Sequence, residues 1–552
     1  MIADIHITEK SFGDKTLMKD VKFSVDDGEK VGVVGRNGVG KSTLFGILSG
    51  KDTDYTGEVI FRRGITIATT AQEHHGLGDQ TVMSYILGGL PEYSKLKKII
   101  DEYPLTMGDN MRKIEEYTQA LERFDQKGFY QVEEKIEREL SNFQLDGYGN
   151  RKISSLSGGQ KRLVEIVKIM HSEAHLALID EPTNHMDYVA KQQFIDWMNS
   201  QPHQAMLIIT HDRDVLGQVD RIVEIKDGQA VSYRGNYDAY LKQNAQATTA
   251  GMNNFEQIEK RIVNLKQKVL DYQRLKEKSR NPGTIQKFKR LENEARAELE
   301  ELSEMEKPTF WIDKESASQL DYKSAERYGK FKSRNIRLSM KDASSRSQHV
   351  LVRAENVAVG IGERILFEDV NIDLREGEAI EIRGRNGAGK TTLIRMILAS
   401  GKSFDGGPVL YSGDIFLDPQ VRIGVYEQEI DERYLSDPLE KAIEKLYMSR
   451  DLSISDTKIR QLLADYLFMD ADRMTPLARL SGGQKARFQI IVMLANDPQL
   501  LILDEPTNHL DLPSIEELET ALAKYSGAIL YVSHDNYFRE KLGGKVVQIG
   551  AE

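Results

Sequence analysis

Two glycine-rich segments with nearly the same sequence lie 349 residues apart in this chain: Gly35-Arg36-Asn37-Gly38-Val39-Gly40-Lys41-Ser42 and Gly384-Arg385-Asn386-Gly387-Ala388-Gly389-Lys390-Thr391. Each segment follows a short apolar run and precedes a helical pattern, which is the context that a P-loop requires. The glycines let backbone N–H groups close around phosphates, and the start of the following helix adds positive potential. The repeat therefore predicts two sites for nucleotide phosphates.

The residues beside the glycines suit the other tasks at a phosphate site. We expect Lys41 and Lys390 to reach the β- and γ-phosphates. We expect Ser42 and Thr391 to hold Mg²⁺. The predicted ATP-binding residues of the two segments are Gly35, Asn37, Gly38, Gly40, Lys41, Ser42 and Thr43 in one, and Gly384, Asn386, Gly387, Gly389, Lys390, Thr391 and Thr392 in the other.

Two further motifs recur 324 residues apart. They are Leu156-Ser157-Gly158-Gly159-Gln160, repeated as Leu480-Ser481-Gly482-Gly483-Gln484, and Asp180-Glu181-Pro182-Thr183-Asn184-His185, repeated as Asp504-Glu505-Pro506-Thr507-Asn508-His509. The chain is therefore two copies of one domain, named here the first copy (1–243) and the second copy (349–552), joined by a linker (244–348). Short apolar runs such as Val31–Val34 and Ala205–Ile209 are typical of buried parallel strands, so the predicted fold class is α/β.

Acidic and imidazole side chains follow the apolar strands of each copy. Asp180 and Asp504 each end a strand, where a carboxylate helps to position magnesium. Glu181 and Glu505 come next and are candidate catalytic residues that polarise the attacking water. The remaining candidates at the γ-phosphate are His211 and His534, with Gln72 and Gln428 also proposed as metal-site residues.

The first copy is about 32 residues longer than the second between its Gln72 and its Ser157. We place this insertion within 88–131, where helical patterns precede Pro104 and follow a polar turn near 108–110. It is either a tolerated surface excursion or a docking element, and the sequence leaves both open.

Composition narrows the class of protein. The chain has no cysteine, which excludes disulfides and cysteine-ligated metals, and it has no apolar run near the ~18 residues of a membrane span. Met1–Asp4 does not read as the start of a secretory signal, so we expect a cytoplasmic location. The net charge of −11 argues against general polyanion binding, although the linker departs from this average.

The linker predicts a helical hairpin with a basic tip. Apolar residues from Ile258 to Leu275 step by three and four, Asn281-Pro282-Gly283 interrupts them, and a second such seam runs from Phe288 to Met305. Residues 274–290 carry a net charge of +6. A projecting basic tip on an acidic protein favours a polyanionic partner over a merely solvated surface. The predicted RNA-binding residues are Arg274, Lys276, Lys278, Arg280, Lys287, Lys289 and Arg290.

Together the repeated motifs resemble the nucleotide-binding domains of the ABC ATPases. In that family two domains sandwich two ATP molecules head to tail, which implies composite sites that ATP closes and hydrolysis opens. The resemblance assigns to site one Phe12, Lys41, Ser42, Gln72, Asp180, Glu181 and His211 with Ser481, Gly483, Gln484 and Asp511. It assigns to site two Lys390, Thr391, Gln428, Asp504, Glu505 and His534 with Ser157, Gly159, Gln160 and Asp187.

One position departs from the family pattern. ABC ATPases usually stack adenine on an aromatic residue before the glycine-rich segment, and Phe12 fits this role. The second copy has Ile361 there, so we expect weaker selection of adenine in site two, with hydrolysis retained.

Tandem ABC domains joined by a long basic linker, with Glu-Pro-Thr-Asn-His in both copies, closely resemble the ABC-F family. The resemblance implies an ATPase that binds the ribosome at the tRNA exit site, with the linker directed at the P-site tRNA and the peptidyl-transferase centre. Some members displace antibiotics from the ribosome, and others relieve stalled translation. It also implies contacts with rRNA, no membrane or DNA partner, a monomer whose two copies pair, and an arm formed by the insertion.

The main alternative is the tandem ATP-binding subunit of a membrane importer, which shares every nucleotide motif but gives no reason for the basic linker. Ribosome-recycling and DNA-repair ATPases with related domains use cysteine-bound metals, which this chain cannot form. The sequence does not say whether the protein confers drug resistance.

Overall fold

The computed structural model describes residues 1–13, 15–70, 79–108, 110–184, 186–305, 307–320, 322–338, 349–402, 407–427 and 430–550. Gln72 and Gln428 lie outside these ranges, so their predicted roles stay predictions. The chain divides into two compact units, one made of Met1–Tyr237 with Ile336–Glu552 and one made of Asp238–Asn335. The domain boundaries predicted after 243 and 348 likewise stay predictions.

The first copy contains two sheets. A three-stranded antiparallel sheet has the order β2-β1-β4, and a six-stranded sheet has the order β5-β6-β7-β3-β8-β9, with only β9 antiparallel to its neighbour. The strands are β1 (Ala3–Phe12), β2 (Lys15–Val25), β3 (Lys30–Val34), β4 (Thr56–Phe61), β5 (Ile67–Thr69), β6 (Leu176–Asp180), β7 (Ala205–Ile209), β8 (Arg221–Lys226) and β9 (Gln229–Arg234).

Helices cover the faces of these sheets. They are α1 (Lys41–Leu48), α2 (Val82–Gly88), α3 (Tyr93–Thr106), α4 (Met111–Gln126), α5 (Val132–Asn142), α6 (Gly158–His171), α7 (Tyr188–Ser200) and α8 (Arg213–Leu216), with short 3₁₀ turns at Phe129–Gln131 and Ile153–Ser155. Every residue of β3, β6 and β7 is buried, as the continuous apolar runs predict for strands covered on both faces.

The second copy repeats this plan. Its antiparallel sheet has the order β11-β10-β13, and its parallel sheet has the order β14-β15-β16-β12-β17. The strands are β10 (Val350–Ile361), β11 (Arg364–Arg375), β12 (Ala379–Arg383), β13 (Pro408–Leu417), β14 (Ile423–Tyr426), β15 (Leu500–Asp504), β16 (Ala528–Val532) and β17 (Lys545–Gln548). The α/β fold class with two copies of an ABC-type domain is therefore confirmed.

The second copy has fewer helices before its Leu480–Gln484 motif than the first copy has before Leu156–Gln160, because it lacks the insertion. Counting from the linker helices α9–α12 described below, they are α13 (Lys390–Leu398), α14 (Glu432–Leu435), α15 (Leu439–Met448), α16 (Asp456–Asp465), α17 (Gly482–Leu494), α18 (Leu512–Ala523) and α19 (Asn536–Leu542), with 3₁₀ turns at Asp470–Asp472 and Leu477–Arg479.

The insertion forms a helical hairpin of α3 and α4. Helix α3 continues through Pro104 and ends at Thr106, shortly before the turn predicted near 108–110. The two helices meet where the Tyr103 hydroxyl donates to Glu116 at 3.0 Å, and Asn110 caps α4 by accepting from the Lys113 N–H. Tyr93, Phe124 and Phe129 pack ring to ring and join the insertion to the buried core of the first copy.

The second unit consists of the linker helices α9 (Tyr237–Lys278), α10 (Pro282–Ser303), α11 (Lys314–Ser318) and α12 (Tyr322–Phe331). Helix α10 begins at Pro282 with Asn281 as its N-cap, so the predicted breaker both ends one helix and starts the next. Leu265, Val269 and Ala295 are buried together, and Tyr272 stacks on Phe288. The linker therefore contains the predicted packed hairpin, although α9 is far longer than its predicted arm. Among the described residues, no helix is long and apolar enough to cross a membrane.

Two neighbouring residues of α9 test the hairpin packing. Leu265 is 2% exposed and Val263 is 65% exposed. We expect Leu265→Ala to lower the free energy of local unfolding of the hairpin by about 2–3 kcal/mol, because it leaves a cavity between the helices. The matched Val263→Ala should change it by less than about 0.5 kcal/mol. Native-state hydrogen exchange of linker peptides in the full chain measures both, and equal exchange in the two variants would contradict the packing.

Candidate active sites

Each glycine-rich segment is a loop that ends at the first residue of a helix. Gly40, with φ of 103°, directly precedes Lys41 at the start of α1, and Gly389, with φ of 98°, precedes Lys390 at the start of α13. A side chain at either glycine would strain this left-handed backbone. The loop geometry therefore requires the glycines that the sequence pattern contains.

Both lysines lie buried against the carbonyl groups of their own loop. Lys41 Nζ donates to Gly35 O at 2.6 Å and to Arg36 O at 3.2 Å. Lys390 Nζ makes the equivalent bonds to Gly384 O and Arg385 O at 2.8 and 3.0 Å. Burial lowers the pKa of each lysine, and the surrounding carboxylates partly oppose this shift. Each loop thus holds a desolvated amine where a phosphate is expected.

A hydroxyl and a carboxylate meet beside each loop. Ser42 Oγ donates to Asp180 Oδ2 at 3.2 Å, and Thr391 Oγ1 donates to Asp504 Oδ2 at 2.8 Å. Oxygen pairs of this kind fit Mg²⁺, which prefers a few protein oxygens together with phosphate and water. Among the described residues, no cluster of three or more histidine, aspartate or glutamate side chains could hold a metal ion by itself. The donor sets therefore fit a magnesium ion that arrives with a nucleotide.

A glutamate and a histidine face each other in each copy. His211 Nε2 lies 3.6 Å from Glu181 Oε1, and His534 Nε2 lies 3.2 Å from Glu505 Oε1. In the described part of the chain, neither ring nitrogen of His211 has a hydrogen-bond partner, and His534 Nε2 and Glu505 Oε1 are also unsatisfied, since their contact lacks hydrogen-bond geometry. Buried polar atoms without partners are rare in folded proteins, and here they converge on the expected phosphate positions.

Burial shifts the pKa values of these groups in the direction that favours their neutral forms. Burial, reinforced by Asp180, raises the pKa of Glu181 to about 8. Burial also raises the pKa of Glu505 to about 7, against the opposing charge of Lys390. Burial lowers the pKa of both His211 and His534 to about 3. The carboxyl groups are therefore poised to accept or release a proton near neutral pH, while the imidazoles stay uncharged.

Each loop is also bound by a carboxylate of the other copy. The N–H of Asn37 donates to Asp511 Oδ2 at 3.1 Å, and the N–H of Asn386 donates to Asp187 Oδ2 at 3.0 Å. Asn37 adds a side-chain bond to His509 O at 2.9 Å. Asp187 and Asp511 also cap helices α7 and α18 of their own copies. The pairing of the two copies in the structure is therefore head to tail.

Two clefts follow the boundary between the copies, and each contains residues of both. The first, about 540 Å³, is lined by Phe12, Asn37, Gly38, Gly40, Lys41, Ser42, Thr43, Asp180, Glu181 and His211 of the first copy and by Ser481 and Gly483 of the second. The second, about 1110 Å³, is lined by Ile361, Asn386, Gly387, Gly389, Lys390, Thr391, Thr392, Asp504, Glu505 and His534 with Ser157, Gly159 and Gln160 of the first copy. Each cleft thus brings together most of the residues that the resemblance assigns to its site. The exceptions either lie outside the described ranges or do not line the cleft.

Some assigned residues act in the structure as supports for the clefts. Gln484 closes a capping box with Ser481 at the start of α17, and Gln160 does the same with Ser157 at the start of α6. A Cβ on Gly35 or Gly384 would lie 2.6 or 2.5 Å from a backbone carbonyl oxygen, so these glycines let the loops pack closely. Gly483 approaches the other copy even more closely, since a Cβ there would lie 2.1 Å from Asn37 Nδ2.

The candidate adenine contacts differ between the clefts. Phe12 and Ile361 each lie at the end of a strand, at the wall of their cleft, and are 56% and 54% exposed. An exposed aromatic ring offers a stacking face that an isoleucine lacks. The predicted difference in adenine selection stays a prediction.

The basic tip of the linker is partly neutralised. Lys276 donates to the buried Glu292 at 2.5 Å, and Arg290 donates to Glu294 at 2.8 Å. The other predicted RNA-binding side chains are exposed around the hairpin turn: Arg274, Lys278, Arg280, Lys287 and Lys289. The pairing of Lys276 was missed because Glu292 lies on the opposite helix, 16 residues away.

Two cationic residues of the clefts were missed from the sequence. Arg162 lines the first cleft, and its charge opposes the upward shift of the pKa of Glu181. Lys191 lines the second cleft. A position-by-position comparison of the copies would have found both, because the second copy has Ala486 and Ile515 at the matching positions.

The chain is similar to known proteins over nearly its whole length. The family model described as ABC transporter matches residues 18–184 and 367–508. The Bacillus subtilis putative ATP-binding protein YdiF is 30% identical over all of this chain and 80% of its own length. The energy-dependent translational throttle protein EttA of Mycobacterium tuberculosis is 27% identical, over 96% of this chain and 88% of its own.

The ribosome protection protein VmlR of Bacillus subtilis is also 27% identical, over 96% of this chain and 83% of its own. Among solved structures, an RNase-L inhibitor has a TM-score of 0.57 at 17% identity, covering 99% of this chain and 88% of that one, which supports the fold alone. With its tandem ATPase domains, its helical linker and these relatives, the chain belongs to the ABC transporter family of ATPases and, within it, to the ABC-F family.

Proposed function

We propose that this ATPase hydrolyses ATP at two composite sites and, with ATP bound and its copies closed, binds the ribosome at the tRNA exit site. The linker then acts on the P-site tRNA and the peptidyl-transferase centre, to regulate translation or to protect the ribosome from antibiotics. The protein acts in the cytoplasm as a monomer, with rRNA and tRNA as its nucleic-acid partners.

The observation that carries the composite sites is the head-to-tail placement of the motifs. Ser481 and Gly483 lie in the cleft that contains Lys41 and Glu181, and Ser157 and Gly159 lie in the cleft that contains Lys390 and Glu505. The start of a helix carries a partial positive charge, so α6 and α17 each present their capped N-terminus to the other copy's phosphate loop. An anion bound between them would hold the copies together.

The residues of each cleft divide the chemistry between them. When bound, ATP with Mg²⁺ supplies the γ-phosphoryl group that is transferred to water. Lys41 and Lys390 bind the phosphates, and Ser42 with Asp180 and Thr391 with Asp504 hold the metal. Glu181 and Glu505 accept the proton of the attacking water, for which their near-neutral pKa values suit them. His211 and His534, uncharged and unsatisfied, are placed to hydrogen-bond at the same end of the cleft.

The ribosomal role is supported by the relatives and by the linker. Two relatives that align over nearly the whole chain are named for translation and for ribosome protection. The linker presents exposed cations at the turn of a packed hairpin, whereas the whole chain has a net charge of −11. Local positive charge on an acidic protein suits one defined contact with a polyanion such as RNA.

Removing both catalytic carboxylates tests the proposal directly. We expect the double variant Glu181→Gln, Glu505→Gln to bind ATP without splitting it and therefore to stay closed and cosediment with ribosomes. The wild-type chain, which reopens after hydrolysis, should cosediment less under the same conditions. Sedimentation of the double variant with membranes instead of ribosomes would contradict the proposal and favour an importer subunit.

The close approach of Gly483 to Asn37 tests the composite sites. We expect Gly483→Ala to lower the steady-state rate of ATP hydrolysis at least about tenfold, because its Cβ would hold the two copies apart. The adjacent Gly482→Ala is the matched control, since its Cβ would lie at an ordinary 3.4 Å from His509. Equal rates in the two variants would contradict a site shared between the copies.

Salt dependence tests the basic tip. We expect a variant with glutamine at Lys278, Arg280, Lys287 and Lys289 to bind ribosomes more weakly and with a shallower salt dependence. The slope of log Kd against log salt should fall by about 3, because each phosphate contact releases counterions. A control variant replaces four exposed lysines outside the linker: Lys19, Lys22, Lys51 and Lys402. Identical slopes in the two variants would remove the tip from the interface.

A further inference from the structure

Lys191 of helix α7 crosses from the first copy to the second. Its side chain is 5% exposed, and its ammonium donates to the backbone carbonyl of His534 at 2.8 Å. On its own copy it pairs with Asp214 at 2.5 Å and with Asp212 at 3.3 Å. Three oxygen partners therefore fix the direction of the ammonium, which points from one copy at the histidine segment of the other.

The charge of Lys191 is stable in this buried position. Burial alone lowers the pKa of Lys191, but Asp212 and Asp214 more than reverse that effect, so the net shift is upward. Asp214 also contacts the second copy, since Asn536 Nδ2 donates to Asp214 Oδ2 at 2.8 Å. A charged donor and a charged acceptor thus bind the segment that begins with His534 from two directions.

The first cleft has no equivalent arrangement in the sequence. The residues that match Lys191 and Asp214 in the second copy are Ile515 and Tyr537, and neither carries a charge at neutral pH. Ile515 is buried among apolar side chains of its own copy. The cross-copy ammonium therefore belongs to the second cleft, and the described residues near His211 form a different cross-copy ion pair, between Arg213 and Glu519.

The distance between the histidine and the glutamate is also shorter in the second copy than in the first. His534 Nε2 is 3.2 Å from Glu505 Oε1, whereas His211 Nε2 is 3.6 Å from Glu181 Oε1. Lys191 donates to the backbone carbonyl of His534 itself. The position of this backbone determines where the His534 side chain starts and therefore where its imidazole lies. The His534 N–H also donates to Glu505 Oε2 at 3.2 Å, and the first copy has the equivalent backbone bond from His211 to Glu181, so this contact is common to both sites.

We propose that Lys191 is a positioning residue for ATP hydrolysis at the second site: from the other copy, it holds the backbone of His534 and so aligns the imidazole with Glu505. This inference rests on the proposed composite sites and adds that they are unequal. At the second site an ammonium of the first copy holds the histidine backbone, whereas at the first site the ion pair between the copies joins Arg213, two residues after His211, to Glu519.

Variants with only one active site show at which site Lys191 acts. Glu181→Gln leaves the second site active, and Glu505→Gln leaves the first site active. In the Glu181→Gln background, Lys191→Met should lower kcat about tenfold with little change in KM, because the lost hydrogen bond aligns the catalytic groups and does not bind nucleotide. In the Glu505→Gln background the same change should lower kcat by a clearly smaller factor, because within the described ranges Lys191 contacts the His211 segment only through the side chains of Asp212 and Asp214. Steady-state phosphate release at varied ATP concentrations measures kcat and KM in each background.

Three controls identify the route of the effect. Lys191→Arg retains charge and donors and should restore most of the lost rate. Lys127→Met removes a lysine whose ion pair with Glu173 has the same 2.5 Å length and should leave both sites unchanged. In the Glu181→Gln background, adding Lys191→Met to His534→Ala should cause no further loss, since both act through one imidazole.

Two results would contradict the role of Lys191. Equal loss in both single-site backgrounds, or additive losses with His534→Ala, would overturn the role of Lys191 while leaving the composite sites intact. If Lys191→Met does not fold, Lys191→Gln tests the same point, because its amide is polar but uncharged. If the wild-type chain releases no phosphate, the proposed function fails and this inference fails with it.

Discussion

A buried carboxylate of each copy accepts a hydrogen bond from the phosphate loop of the other copy, and this exchange joins the two copies. Asp187 and Asp511 are desolvated, so they need donors to stay ionised. Burial alone would raise their pKa values, but hydrogen bonds from Ala190 and Ser514 of their own helices and from the opposite loops bring the net shift downward. Each loop is therefore held partly by the other copy.

The same burial shifts the pKa values of the candidate catalytic groups in the direction that favours their neutral forms. Glu181 and Glu505 have raised pKa values, and His211 and His534 have lowered ones, because the closed clefts exclude water. Charge repulsion inside the clefts is thereby limited. A polyanion that enters brings charge towards the buried lysines, and the helix N-termini of both copies favour it. The clefts are therefore complementary to a bound phosphate chain more than to solvent.

Local signals made the fold and most of the site predictable. The glycine pattern around Lys41, the apolar strands and the breaker at Pro282 each act over a few residues, so the sequence contains them directly. Contacts between distant segments were not predictable, because no local pattern specifies them. Glu292 neutralises Lys276 from the opposite helix, and Arg162 reaches the first cleft through the fold. The α3 helix continues two residues past Pro104, next to Tyr103, which is bonded to Glu116 of the following helix.

Duplication explains both what the two sites share and how they differ. The residues proposed to hold phosphate and metal are nearly identical in the copies, since each loop would meet the same chemistry. The residues around them differ between the copies. Phe12 against Ile361, Arg162 against Ala486 and Lys191 against Ile515 all change the charge or the shape of one cleft only. A chain with two chemically equivalent but differently supported sites can hydrolyse ATP at unequal rates, and unequal rates allow the two sites to act in a fixed order.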